Sequence, residues 1–104
     1  MRKNNNVLRG LSPIHPGAFL REDILPHVGM TKSDVARSLG ISRAQLYALL
    51  SAKAAVTAAM ALRLGRFFGN GPELWLNMQS NFDLEILART MERELAQIPH
   101  MKAA

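Results

Sequence analysis

The chain has no cysteine among its 104 residues. Disulfides and thiolate-held zinc are therefore excluded, and the composition suits a reducing compartment. β-Branched residues are few and never alternate over a useful length, so no sheet is expected. No long apolar run exists either. The least charged stretch, residues 44–62, carries only Lys53 as a charge, but Gln45, Ser51 and Thr57 interrupt it. It reads as parts of two buried helices, not as a membrane span. The start, MRKNNNVLRG, is basic without the apolar stretch of a signal peptide, so a cytoplasmic location is expected. Enzyme signatures are missing as well. His15, His27 and His100 are scattered, and nothing resembles a nucleophile–base pair, a Walker loop or an HExxH site. No catalytic residue, metal or cofactor is expected.

Acid is scarce where base is concentrated. Residues 1–66 hold ten Lys/Arg against three Asp/Glu, whereas residues 67–104 hold three against five. The length allows one domain with a modest helical core. The charge division suits polyanion binding by the first part and another task for the tail.

Residues 31–50, TKSDVARSLGISRAQLYALL, organise that basic part. Thr31 begins T-x-x-D, so its hydroxyl is expected to cap a helix while Asp34 returns a bond to the cap amide. Val35, Ala36 and Leu39 share one helical face. Gly40 ends the helix, where a positive φ favours glycine. Ile41 plugs the corner, Ser42 caps a second helix, and Leu46, Leu49 and Leu50 turn inward. Small Ala36 lets the two helices cross closely. This is the helix-turn-helix pattern. Arg43, Ala44, Gln45, Tyr47 and Ala48 have no place in that core and are expected to face DNA. Arg43 suits a bidentate bond to guanine O6 and N7. Lys32, Ser42 and Lys53 are expected to hold the DNA backbone. Lys32 opposes the macrodipole at its helix N-terminus, and a phosphate there would offset it.

The remaining chain reads as a supporting helical frame. Residues 1–12 lack periodicity and read as a flexible arm. Five helices are predicted at residues 16–25, 32–39, 43–50, 58–68 and 72–96, punctuated by caps at Thr31, Ser42, Thr57 and Gly71-Pro72. In the first, Ala18, Phe19, Leu20 and Ile24 face inward and Arg21, Glu22 and Asp23 outward. His15 reads as a local hydrogen-bonder. In the fourth, Met60, Ala61, Leu64 and Phe68 face the core, Arg63 and Arg66 lie outside, and Gly65 marks a close packing point. The last helix carries two apolar sets. Leu74, Trp75, Met78 and Phe82 are expected to close the core. Leu84, Leu87, Met91, Leu95 and Ile98 form a further stripe, either a core flap or a partner-binding and dimerisation face. The division of the chain is then arm 1–12, DNA-binding domain 13–83 and C-terminal helix 84–104.

PIHPGAFLRED, DVARSLGISRAQLYALLSAK and VTAAMALRLGRFFGNGPELWLNMQSNFDL occur in order across residues 13–87. In these blocks the chain resembles the HigA/VapI-type antitoxins, Xre-like helix-turn-helix regulators. The resemblance implies an all-α, five-helix lambda-repressor-like DNA-binding domain with a C-terminal helix extension. It also implies a homodimer that binds operator DNA, represses its own operon and neutralises a RelE-like (HigB-type) mRNA endonuclease. The family's usual Asn-Gly-Lys/Arg-Arg after the recognition helix is here Ser51-Ala52-Lys53-Ala54, which departs at Ala52 and Ala54. A stand-alone homodimeric repressor, or an interaction module that has lost DNA binding, are the alternatives these departures leave open.

Overall fold

Caps written into the sequence set the start of most helices. Residues 13–102 are described by the computed structural model, and among them all regular structure is helical. The order is α1 (Pro16–Phe19), a π-helical turn (Leu20–Ile24), a 3-10 turn (Leu25–His27), α2 (Lys32–Leu39), α3 (Arg43–Leu50), α4 (Ala58–Phe68), α5 (Pro72–Thr90) and α6 (Glu92–Ala96). The expected flexible arm at residues 1–12 lies outside the described residues.

The first helical segment departs from the uniform helix expected over residues 16–25. Past Phe19 it widens, and the Leu25 N–H donates back to the Leu20 carbonyl. Pro26 accounts for this: it lacks an N–H, and its ring would collide with the carbonyl four residues earlier in a regular α-helix. The segment still buries Leu20 completely and lays Phe19 and Ile24 against the core.

The caps behave largely as their chemistry requires. Thr31 Oγ1 accepts from the Asp34 N–H at 3.1 Å, and Thr57 Oγ1 accepts from the Met60 N–H at 3.2 Å. The expected return bond from Asp34 is not made, because its carboxylate pairs instead with Arg37 at 2.9 Å, one turn on. The full reciprocal box forms at α3, where Ser42 Oγ accepts from the Gln45 N–H and Gln45 Oε1 accepts from the Ser42 N–H.

Leu20, Val35, Ala36, Leu39, Leu46, Leu49, Leu50, Val56, Ala61, Leu64 and Trp75 form one buried cluster. Trp75 is its largest member and fully buried, 5.8 Å from the Phe19 ring and 6.1 Å from that of Phe68. Its indole N–H donates to Asn70 Oδ1 at 2.8 Å, so the buried ring keeps no unmet donor. Gly65 packs as expected: a Cβ there would lie 2.5 Å from the Gly71 carbonyl carbon. Leu74 does not join the core set and is 39% exposed. Buried Gln79 takes that face with Trp75; its Oε1 accepts from the Val56 N–H at 2.8 Å and its Nε2 donates to Asp83 at 3.0 Å. This ties the loop after α3 to α5.

The last helix is also not continuous to residue 96. It breaks at Met91 (φ −99°, ψ 13°) before α6 resumes. Thr90 Oγ1 bonds back to the Leu87 carbonyl at 3.2 Å, a local competition that bends helices. From Asp83 to residue 102 every position is exposed.

His15 joins the two ends of this frame. Its Nδ1 accepts from the Gly17 N–H at 2.9 Å, capping α1, and its ring sits edge-on to Phe82 at 5.0 Å. Burial pushes the imidazole below the usual histidine range, with the Asp83 charge pulling the other way. A lowered folded-state pKa means that the unfolded chain binds the proton more tightly. The stabilisation is therefore complete above the unfolded value of 6.5, declines as pH falls below it and levels off once the folded form also protonates. Thermal melts are expected to show a midpoint that falls between pH 7.5 and 5.5, about one pH unit either side of that value. In His15→Asn, which keeps a capping oxygen without the titration, that slope should flatten. An equal slope in both proteins would remove His15 as its source.

Candidate nucleic-acid interface

Helices α2 and α3 meet around Gly40, whose φ of 74° closes α2. The Gly40 N–H bonds the Arg37 carbonyl and the Ile41 N–H bonds that of Ala36, a Schellman-type closure that reverses the chain within a few residues. The Leu39 carbonyl is met from outside by Arg63 Nη1 at 2.8 Å. Arg63, expected only as an outward charge of α4, thus secures the end of α2. A Cβ on Gly40 would lie 2.6 Å from that guanidinium, the far end of a flexible side chain that can shift, so it is the positive φ that favours glycine here.

The inward residues of α3, Leu46, Leu49 and Leu50, are buried, which turns the other side of the helix outward. Arg43, Ala44, Gln45 and Tyr47 are exposed there, Tyr47 by half, and Ala48 is half-buried. Lys32, Ser42 and Lys53 are exposed at the start of α2, the start of α3 and the loop beyond it. The Arg43 guanidinium leans on the first turn of α2 through one long bond of 3.5 Å to Ser33 Oγ. That leaves most of its donors available to an acceptor in solution. Gln45 is more constrained than its sequence position implies. Its Oε1 is committed to the Ser42 N–H, so only its amide N–H groups remain to donate. Ser42 Oγ accepts from the Gln45 N–H and keeps its own hydroxyl proton for a phosphate oxygen.

The loop after α3 keeps a glycine-like backbone without the glycine. Ala52 has φ 63°, the only described non-glycine residue with a positive value. The left-handed region costs an L-residue about 1–2 kcal/mol, while glycine loses about 0.5–1 kcal/mol more backbone entropy on folding. Ala52→Gly is therefore expected to raise stability by roughly 0.5 kcal/mol, the difference of those terms. Urea unfolding that shows a lower midpoint for Ala52→Gly would mean that the Ala52 methyl contributes packing that outweighs the strain.

Sequence reasoning missed Arg21, Arg63 and Gln79. Arg21 Nη1 donates to the Leu50 carbonyl at 2.7 Å, on the last residue of α3. Their only sequence signal is a polar side chain beside an apolar face, which does not name a partner. Among the described residues no group of three His, Cys, Asp or Glu is placed to hold a metal, and no helix is long and apolar enough to cross a membrane.

Known proteins share this arrangement. The helix-turn-helix family model matches residues 20–76. Virulence-associated protein I of Dichelobacter nodosus is 38% identical over 73 residues, covering 70% of this chain and 68% of that protein. Among solved structures, antitoxin GraA in complex with its operator superposes with a TM-score of 0.82 at 34% identity, over 89% of this chain and 95% of that one. Antitoxin HigA of Pseudomonas aeruginosa with the higBA promoter gives a TM-score of 0.80 at 28% identity, over 86% of this chain and 99% of that one.

Proposed function

The chain belongs to the HigA/VapI-type antitoxin family of Xre-like helix-turn-helix regulators, and from that footing we propose that it is an operator-binding repressor and the antitoxin of a toxin–antitoxin pair. The observation that carries DNA binding is the outer side of α3. An arginine, a glutamine amide and a tyrosine stand exposed along it, with Lys32, Ser42 and Lys53 around them. The helix enters the major groove N-terminus first, Arg43 reads a base edge, and the surrounding donors hold phosphates. Ala44 and Ala48 leave room for close approach. The family's members are regulators and antitoxins, so the activity is binding and not catalysis.

A homodimer follows from the size of the site. One short helix touches too few base pairs for operator affinity, and two-fold pairing doubles them. Leu84, Leu87, Met91, Leu95 and Ile98 are exposed by 68, 50, 36, 44 and 61%. These exposed apolar residues beyond the core, on both sides of the break at Met91, support the C-terminal segment as the seam.

The toxin partner is a RelE-like mRNA endonuclease of the HigB type. Such an enzyme carries basic groups around its cleft. Glu73, Glu92 and Glu94 are exposed acids on the part of the chain away from α3, whereas Asp83 and Glu85 are engaged with Gln79 and Arg89. Their charges steer encounter, and buried apolar surface supplies most of the affinity.

Co-expression with the adjacent reading frame tests the whole reading. Expected are co-purification of the two products, rescue of growth from the neighbour's toxicity, and a dimer by sedimentation at tens of micromolar. If the neighbour is neither toxic nor retained while operator binding persists, the stand-alone repressor takes the place of the antitoxin. A monomer at that concentration would remove the two-fold site.

A further inference from the structure

Helix α3 ends in four carbonyls that no further turn can satisfy, those of Tyr47, Ala48, Leu49 and Leu50. Its own loop closes three. The Ser51 N–H bonds Tyr47 at 3.0 Å, the Ala52 N–H bonds Leu49 at 3.0 Å, and the Lys53 and Ala54 N–H groups both bond Ala48, at 2.9 and 3.1 Å. The fourth is met from a distant element: Arg21 Nη1 donates to the Leu50 carbonyl at 2.7 Å, across 29 positions of sequence. The other arm of that guanidinium pairs with Glu22 at 2.6 Å. Beside it, α1 runs so close that a Cβ on Gly17 would lie 1.8 Å from the Leu49 oxygen. The first helical segment thus grips the C-terminal end of α3 at two consecutive carbonyls, while the reading side chain Arg43 sits at the opposite end.

A helix held at one end acts as a lever. Eight residues span about 12 Å, so a tilt of about 10° at Leu50 moves the Arg43 end by about 2 Å. A bidentate bond to a base edge works only over a window of about half an ångström. Flexible lysine contacts to phosphate absorb such a shift. An error in tilt therefore lowers base readout while leaving non-specific binding intact.

We propose that Arg21 is a positioning residue for base readout, setting through the Leu50 carbonyl the angle at which α3 enters the groove without itself touching DNA. The inference rests on the DNA-binding reading above. Its cation also complements the negative end of the α3 dipole, so both charge and donor geometry contribute.

The test uses the whole chain. The wild-type protein first selects a duplex from a randomised pool, and affinities are then measured on that duplex and on a scrambled one over a salt series. Arg21→Met keeps the apolar stem and loses the donors; Arg21→Lys keeps charge and one donor. Each is assayed well below its own melting midpoint. Arg21→Met is expected to lose about tenfold on the selected duplex, the factor that 1.4 kcal/mol represents. Its affinity for scrambled DNA and its salt slope should equal those of wild type, and Arg21→Lys should recover most of the loss. Equal losses on both duplexes, with the salt slope lower by about one, would make Arg21 a phosphate contact and overturn the proposal. Unchanged affinity for the selected duplex would overturn it too. If Arg21→Met does not fold, Arg21→Gln, which removes the charge and shortens the reach to the Leu50 carbonyl, is assayed in its place: a loss confined to the selected duplex supports the proposal, and any other result overturns it. Failure of the wild type to enrich any duplex would remove the DNA-binding reading, and this inference with it. Enrichment by the wild type with an indifferent Arg21 removes the inference alone.

Discussion

Gly17→Ala is expected to destabilise the protein by about 3 kcal/mol, the upper end of the usual cost of overpacking. The sign is the informative part. In an ordinary helix this change gains about 0.5–1 kcal/mol, because alanine loses less backbone entropy than glycine. Here the new Cβ would stand 1.8 Å from the Leu49 oxygen and 2.8 Å from its carbonyl carbon. Both obstacles are backbone, so no side chain can swing aside. The first helical segment must retreat from α3, stretching the bond from Arg21 to Leu50 and opening the contact between Leu20 and the core. Gly65→Ala meets a similar wall at Gly71 and Pro72 and should act in the same direction. Urea unfolding measures both, and a Gly17→Ala midpoint equal to or above that of wild type would show that the close approach does not exist in solution.

Arg43→Ala is expected to cost ~1–3 kcal/mol on the operator, the usual value of a bidentate base contact. On random DNA the loss should be small, since a base contact contributes little there. Lys53→Ala provides the contrast. Its ammonium is exposed on the loop after α3, so its removal should weaken all sequences alike and lower the salt slope by about one. Neither variant should unfold the chain, because Arg43 makes one long bond to Ser33 and belongs to no buried contact. Anisotropy titrations on operator and scrambled duplexes separate the two roles. Equal losses on both for Arg43→Ala would return that residue to the phosphate-binding group.

The expectation for Arg43 starts from local sequence, whereas that for Gly17 needs the tertiary contact with Leu49. The bounds of α2, α3 and α4 follow from residues adjacent in the chain, and the structure places all three as the caps and the apolar spacing require. Thr31, Ser42 and Thr57 act on N–H groups three residues away, and Gly40 on its own backbone. Such bonds are available to an isolated segment, so residue types in order suffice to locate them. The exposed side of α3 was legible for the same reason: once Leu46, Leu49 and Leu50 turn inward, helical geometry places Arg43, Ala44, Gln45 and Tyr47 elsewhere.

Where residues compete for one partner, order alone does not decide. Asp34 is spaced to complete a capping box but pairs with Arg37, whereas Gln45 completes the box at Ser42 with its oxygen and keeps its amide N–H groups exposed. Leu74 has helical spacing with Met78, yet it is exposed and buried Gln79 lies beside Trp75 because Val56 and Asp83 satisfy both ends of its amide. The break at Met91 coincides with a single back-bond from Thr90, too small a feature to read from periodicity.

By itself the sequence determined the all-α class, the helix-turn-helix and the side of α3 turned away from the core, since each follows from local bonds and apolar spacing. Only the tertiary structure decided that Arg21 closes α3, that Arg63 closes α2 and that Gly17 is a contact point with Leu49. Those pairs lie 24 to 32 positions apart in the sequence. An arginine carries no mark of which distant carbonyl it will meet, and a glycine no mark of which backbone will approach it. That information exists only once the apolar core has brought the helices together, because burial of the core is non-directional and the polar contacts at its edge take whatever geometry it leaves.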